Sequence, residues 1–152
     1  MSLIFPYIPL RVRTPAVSLG GRLTRPRPII PISLIGPLQT RIVRGLLDTG
    51  ADDTVFSEQV ARAIGIDLTN APEAEFGGVG GTAVARVRYA QVTLRLATNT
   101  EQREWVATAG FTNAPLRFAL LGFAGALQFF TATFRGDREE VDLQINSLYA
   151  GS

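Results

Sequence analysis

The natural acid–base groups in this chain are its carboxylates. Its 152 residues include no histidine and no cysteine, and every basic residue is an arginine. That composition removes imidazole bases, thiol nucleophiles, lysine Schiff bases, disulfides and the usual zinc ligand sets together. Three aspartates cluster in Leu46-Leu47-Asp48-Thr49-Gly50-Ala51-Asp52-Asp53-Thr54-Val55. The apolar lead-in places Asp48 at the end of a buried strand, and Gly50 allows a tight turn and the close approach of a ligand. Asp-Thr-Gly is also an ordinary turn sequence, in which the Thr49 hydroxyl satisfies its own turn.

The elements that must hold this segment read as strands. Ile30 to Ile35, a Gly36-Pro37 turn and Leu38 to Leu47 form a hairpin that leads into Asp48. Ser57 caps a short helix with Val60, Ala61 and Ile64 on one face and Gly65 at its end. Phe76-Gly77-Gly78-Val79-Gly80-Gly81 is too glycine-rich for a buried strand interior, whereas Thr82 to Leu96 alternates. Together they predict a long hairpin with a glycine tip. Glu104 to Ala109 and Phe118 to Gly122 are further strands, and Phe129 to Phe134 with Val141 to Ile145 make a final hairpin. Arg22 to Pro28, rich in proline and arginine, reads as an exposed loop between extended apolar pieces. The fold class is all-β with one short helix, a small closed or orthogonally packed barrel.

The length suits one domain, and 46% hydrophobic with 18% charged residues is a globular balance. No apolar run approaches the roughly 20 residues of a membrane helix, so no membrane span is expected. The apolar opening from Met1 to Leu10 lacks a basic leader and carries prolines, so no export signal is read there and a soluble, cytoplasmic protein is expected. A net charge of +2 is weak grounds for a polyanion partner, and the Arg13 to Arg27 segment lacks interleaved aromatics; no nucleic-acid partner is expected.

Asp48-Thr49-Gly50 with its flanks resembles the catalytic signature of the retropepsin-like (retroviral-type) aspartic proteases. The glycine segment 77–81 resembles the tip of that family's flap, and Leu120-Leu121-Gly122 is similar to its apolar-apolar-Gly segment beneath the active-site loop. The matches run in the family's order from Leu46 to Gly122. The resemblance implies a retropepsin-like closed-barrel protomer with a glycine-tipped flap, and an aspartic endopeptidase. Catalysis falls to Asp48, Thr49 and Gly50. Substrate contacts fall to Asp52 and Asp53, to Gly78, Val79 and Gly80 of the flap, and to Val55, Phe76, Phe118 and Leu120 in apolar side-chain pockets. No cofactor or metal is implied.

Amide hydrolysis needs a base for the water and an acid for the carbonyl oxygen, and one carboxyl cannot be both in a single step. Bilobed relatives carry two Asp-Thr/Ser-Gly motifs, but this chain has one. The resemblance therefore implies a homodimer, with a polypeptide substrate and a second Asp48 supplied by symmetry. Two departures stand out. The viral pattern places an arginine after the apolar-apolar-Gly segment to pair with the acid at position 52; here that residue is Phe123. Arg41, Arg44 or an N-terminal arginine is then the expected partner of Asp52. The added residues and the Phe-rich tail with its Gly136-Asp137 turn look more like bacterial or cellular members than viral ones, and the dimer sheet woven from viral termini is expected to differ. The expected organisation is a Pro/Arg-rich segment over 1–28, a protease domain over 29–147 and a tail over 148–152. The competing reading is a catalytically silent dimerisation or peptide-binding module on the same fold.

Overall fold

The computed structural model describes residues 1–77 and 84–152. In chain order, the strands before the motif are β1 (Leu3–Pro6), β2 (Ile8–Ala16), β3 (Arg22–Arg27), β4 (Ile29–Ile35) and β5 (Thr40–Leu47). After it come β6 (Val55–Ser57), helix α1 (Glu58–Ile64), β7 (Glu73–Gly77), β8 (Val84–Ala97) and β9 (Gln102–Thr112). The chain closes with β10 (Ala119–Leu121), β11 (Phe130–Arg135) and β12 (Glu140–Ile145). The protein is all-β, as the period-2 patterns predict.

The main sheet runs β4, β5, β10, β6, β9, β8, β7, and β8 also bonds to β4, so the pairings return on themselves. Its interior follows from alternation. On β4, Ile30, Ile32 and Leu34 all point inward and are fully buried. They meet Phe56, Phe111 and Leu94, and the Phe56 and Phe111 rings lie 6.0 Å apart. Burial of such side chains is the main force holding a sheet closed around a core, at about 1.5–3 kcal/mol each.

Helix α1 forms where its punctuation says it should. The Ser57 hydroxyl accepts from the Gln59 N–H at 3.2 Å, and Gly65 ends the helix at φ 89°, a left-handed conformation costly for any residue with a Cβ. Ala61 and Ile64 are buried, and Val60 packs at the margin of the core.

A second sheet, β1–β12–β11, is antiparallel throughout. The N-terminal strand is thus taken up by β12 of its own chain. Trp105 on β9 clasps this sheet to the first: its ring meets Phe130 edge-on at 5.2 Å and Tyr149 at 6.2 Å, and its indole N–H donates to the Gly125 carbonyl at 2.8 Å.

The segment read as a loop is instead strand β3, which pairs with β2 in a two-stranded ribbon. Prolines are tolerated because a two-stranded ribbon has unpaired outer edges, and Pro9 stands opposite Pro26, so the missing donors coincide at one rung. Among the described residues no helix is long and apolar enough to cross a membrane.

Candidate active site

Strand β5 ends at Leu47, and Asp48 follows half-buried in the turn. Its N–H donates to the Leu121 carbonyl at 3.1 Å, because β10 lies parallel to β5 with Leu121 opposite Leu47. The carboxylate turns toward its own loop: Oδ1 accepts from the Gly50 N–H at 2.9 Å. A Cβ at Gly50 would stand 3.3 Å from that oxygen. Glycine here keeps the amide free to approach the carboxylate, rather than supplying a left-handed turn.

The stretch after β10 runs beside the loop and is laced to it through main chain. Phe123 N–H donates to Ala51 O at 3.0 Å, Ala124 N–H to Asp52 O at 2.9 Å, and Thr54 N–H returns to Ala124 O at 3.1 Å. This close approach explains Gly122, where any side chain would collide with the carbonyl oxygens of Asp53 and Ala51. It also answers the loss of the family arginine. The backbone of Phe123 and Ala124 braces the loop, while the Phe123 ring stays 60% exposed. Among the described residues no arginine comes within 4.0 Å of the exposed Asp52 carboxylate, so neither Arg41 nor Arg44 takes the role expected of it.

Asp53 has an unforeseen partner. The Tyr89 hydroxyl, from β8, donates to Asp53 Oδ2 at 2.7 Å. Burial, then this bond and the neighbouring negative charge, push the Tyr89 phenol up to about 12. Thr54 was also missed. It is 0% exposed, and its hydroxyl donates to Ala124 O at 2.8 Å.

Of the residues expected in side-chain pockets, Val55 is buried and pairs with both Leu120 and Gly110. Phe118 and Leu120 are half-buried. Thr49 is exposed on the turn. The backbone of Phe76 lies in β7 opposite Ala85, on a hairpin whose last described rung joins Gly77 to Val84. Gly78, Val79 and Gly80 lie outside the described residues. Among the described residues no group of three or more acidic side chains could hold a metal ion.

The strand, loop and brace around Asp48 fall within a stretch, residues 35–123, that matches the family model described as aspartyl protease. Among solved structures the chain is similar to a retropepsin-like aspartic protease from Rickettsia conorii. The TM-score is 0.57 at 18% identity, over 94% of this chain and 98% of that one. It also aligns with the EIAV protease complexed with the inhibitor HBY-793, at TM-score 0.40 and 21% identity over 63% of this chain and 81% of that one. No curated protein matches in sequence. With more than half of its length matched and the fold shared over nearly all of it, the chain belongs to the aspartyl protease family and takes the retropepsin-like fold.

Proposed function

We propose that the protein is an aspartic endopeptidase whose active unit is a homodimer with one Asp48 from each chain at its centre. The observation that carries this reading is the placement of Asp48. It is a single carboxylate held at a strand end by the Leu121 carbonyl, with Gly50 N–H on one oxygen, in a chain that has only one such motif.

Two carboxylates brought together cannot both ionise cheaply, so the pair shares a proton, an effect for which the aspartic-protease dyad is itself the standard illustration. The ionised Asp48 removes a proton from water as the water oxygen bonds to the scissile carbonyl carbon. The protonated partner delivers its proton to the carbonyl oxygen, which gives a neutral gem-diol and reverses the two roles. Collapse returns one hydroxyl proton to the ionised carboxylate, and the protonated Asp48 gives its proton to the amide nitrogen as the C–N bond breaks, which restores the singly protonated pair. Rate should therefore follow a bell-shaped profile on the acidic side, governed by the pair as a unit.

In this reading Thr49 of each chain bonds across the two-fold axis, and Gly50 with Asp52 and Asp53 meets the extended substrate backbone. Gly78, Val79 and Gly80 cover it as a flap, while Val55, Phe76, Phe118 and Leu120 line apolar pockets. Residues 29–147 carry the protease unit, with the β2–β3 ribbon as an appendage and 148–152 as a tail. Because β1 is already paired to β12 in its own chain, the two copies meet at their Asp48 loops without exchanging β1.

The test is incubation of the protein and its Asp48→Asn variant with a mixed peptide library across pH. Cleavage by the wild type that the substitution abolishes supports the mechanism. Cleavage that survives the substitution contradicts it, and a wild type inactive at every pH favours the silent peptide-binding module.

A further inference from the structure

A cavity of about 500 Å³ opens on the flank of the fold, walled by the β2–β3 ribbon, β5, α1 and the segment that leads into β10. Its size is that of a site for a small organic ligand. Leu10, Val43, Phe56, Val60 and Leu116 give it an apolar lining, and the charged residues on it are Arg44 and Arg117.

Those guanidiniums are uncompensated. Among the described residues neither has a carboxylate within 4.0 Å. The acid closest in sequence to this wall, Glu58, is directed to Arg62 at 3.8 Å and Arg88 at 3.9 Å. Arg117 is instead held over the Phe118 ring, 5.1 Å from its centre. A third guanidinium, Arg25, stands across the ribbon from Leu10, and cross-strand partners project from the same face. The N-terminal part of the chain is rich in arginine: Arg11, Arg13, Arg22, Arg25, Arg27, Arg41 and Arg44 precede the first acidic residue, Asp48, and of these Arg22 is paired with Glu139 at 2.8 Å.

Both arginines are exposed, so a purely apolar occupant would use only the lining and a bare anion only the guanidiniums. A ligand with an apolar body and one carboxylate satisfies both, since guanidinium binds carboxylate through paired, charge-assisted hydrogen bonds. We propose that this cavity is a binding site for a small amphipathic carboxylate, seated with its chain against Val60 and Leu10 and its head between Arg44 and Arg117. Asp48 takes no part in this site, although Phe118, which the protease reading places in a substrate pocket, also lines the cavity. It adjoins the catalytic loop through one strand: Ala119, on the cavity wall, pairs with Gly45, and Leu121 two residues on holds the Asp48 N–H.

The experiment is titration of the full chain with octanoate, with 1-octanol and acetate as comparisons, followed by calorimetry and by amide chemical shifts. Octanoate should bind at least tenfold more tightly than either comparison and move the amides of residues 116–119. Arg44→Gln and Arg117→Gln should each weaken it several-fold, and the double variant should bind it no better than octanol. Equal affinity for octanol, equal affinity for acetate, or octanoate affinity unchanged in both single variants would each overturn the proposal. The single variants change exposed side chains, and circular dichroism confirms that they are folded.

Discussion

The phenol of Tyr89 donates a 2.7 Å hydrogen bond to Oδ2 of Asp53, joining a strand of the long hairpin to the loop that carries Asp48. The two residues are 36 positions apart and meet only because β8 pairs with β9, and β9 with β6, which follows the loop directly. One Asp53 oxygen is therefore committed to the fold.

Tyr89→Phe removes that donor and keeps the ring. A half-exposed bond to a carboxylate contributes about 1 kcal/mol, so the variant should unfold at correspondingly lower urea concentration. On the proposed mechanism, KM should rise several-fold with kcat less affected, because Asp53 is displaced while Asp48 stays in place.

The same pair predicts an alkaline limb. The Tyr89 phenol titrates higher in the folded chain, about 12, than its ordinary 10.0, so the folded state holds the proton more tightly. Its stabilisation is complete below pH 10 and is lost as pH rises toward 12. Tyr7 and Tyr149 are also raised by burial and act with the same sign. Unfolding midpoints measured from pH 9 to 12 should fall, and Tyr89→Phe should show a shallower fall than the wild type.

Gly122→Ala tests the close approach beneath the Asp48 loop. The added methyl meets the carbonyls of Ala51 and Asp53, backbone that cannot give way without moving Asp48. A destabilisation of about 3 kcal/mol is expected in urea unfolding, and on the proposed mechanism hydrolysis should be lost in whatever protein remains folded.

Phe123→Arg restores the residue of the viral pattern. Since main-chain bonds from Phe123 and Ala124 already brace the loop, and Asp52 is exposed, a new pair should add no more than about 0.5 kcal/mol and vanish in high salt. Thermal unfolding at two salt concentrations measures this. A large stabilisation would mean that the backbone brace is incomplete.

Legibility in the sequence followed the range of the interaction. The β4–β5 hairpin, the Ser57-capped helix and the final hairpin were readable because alternation, a cap and a turn all lie within a few residues of what they specify. Strand β3 was misread because proline argues against strands in general, and only the pairing of Pro9 with Pro26 in a ribbon removes the objection. The position of Asp48 at a strand end was legible from its own neighbours, whereas the support around it was only partly so. The sequence announced the missing arginine, but the replacement is a set of backbone bonds that carry no residue signature. Tyr89 left no signal, since nothing near it in the chain marks it as the partner of Asp53. Thr54 left a faint one, a hydroxyl leading into the buried Val55 and Phe56.

The proposed mechanism needs two chains to share one active site, and subunit mixing probes that requirement. A fixed amount of wild-type protein is allowed to exchange subunits with an equal amount of Asp48→Asn protein, and peptide hydrolysis is then measured. If each site needs an Asp48 from both chains, random pairing leaves half of the wild-type chains in intact dimers, so activity should fall to about half and continue to fall as more variant is added. Activity unchanged at every ratio, with exchange shown to have occurred, would contradict the shared site.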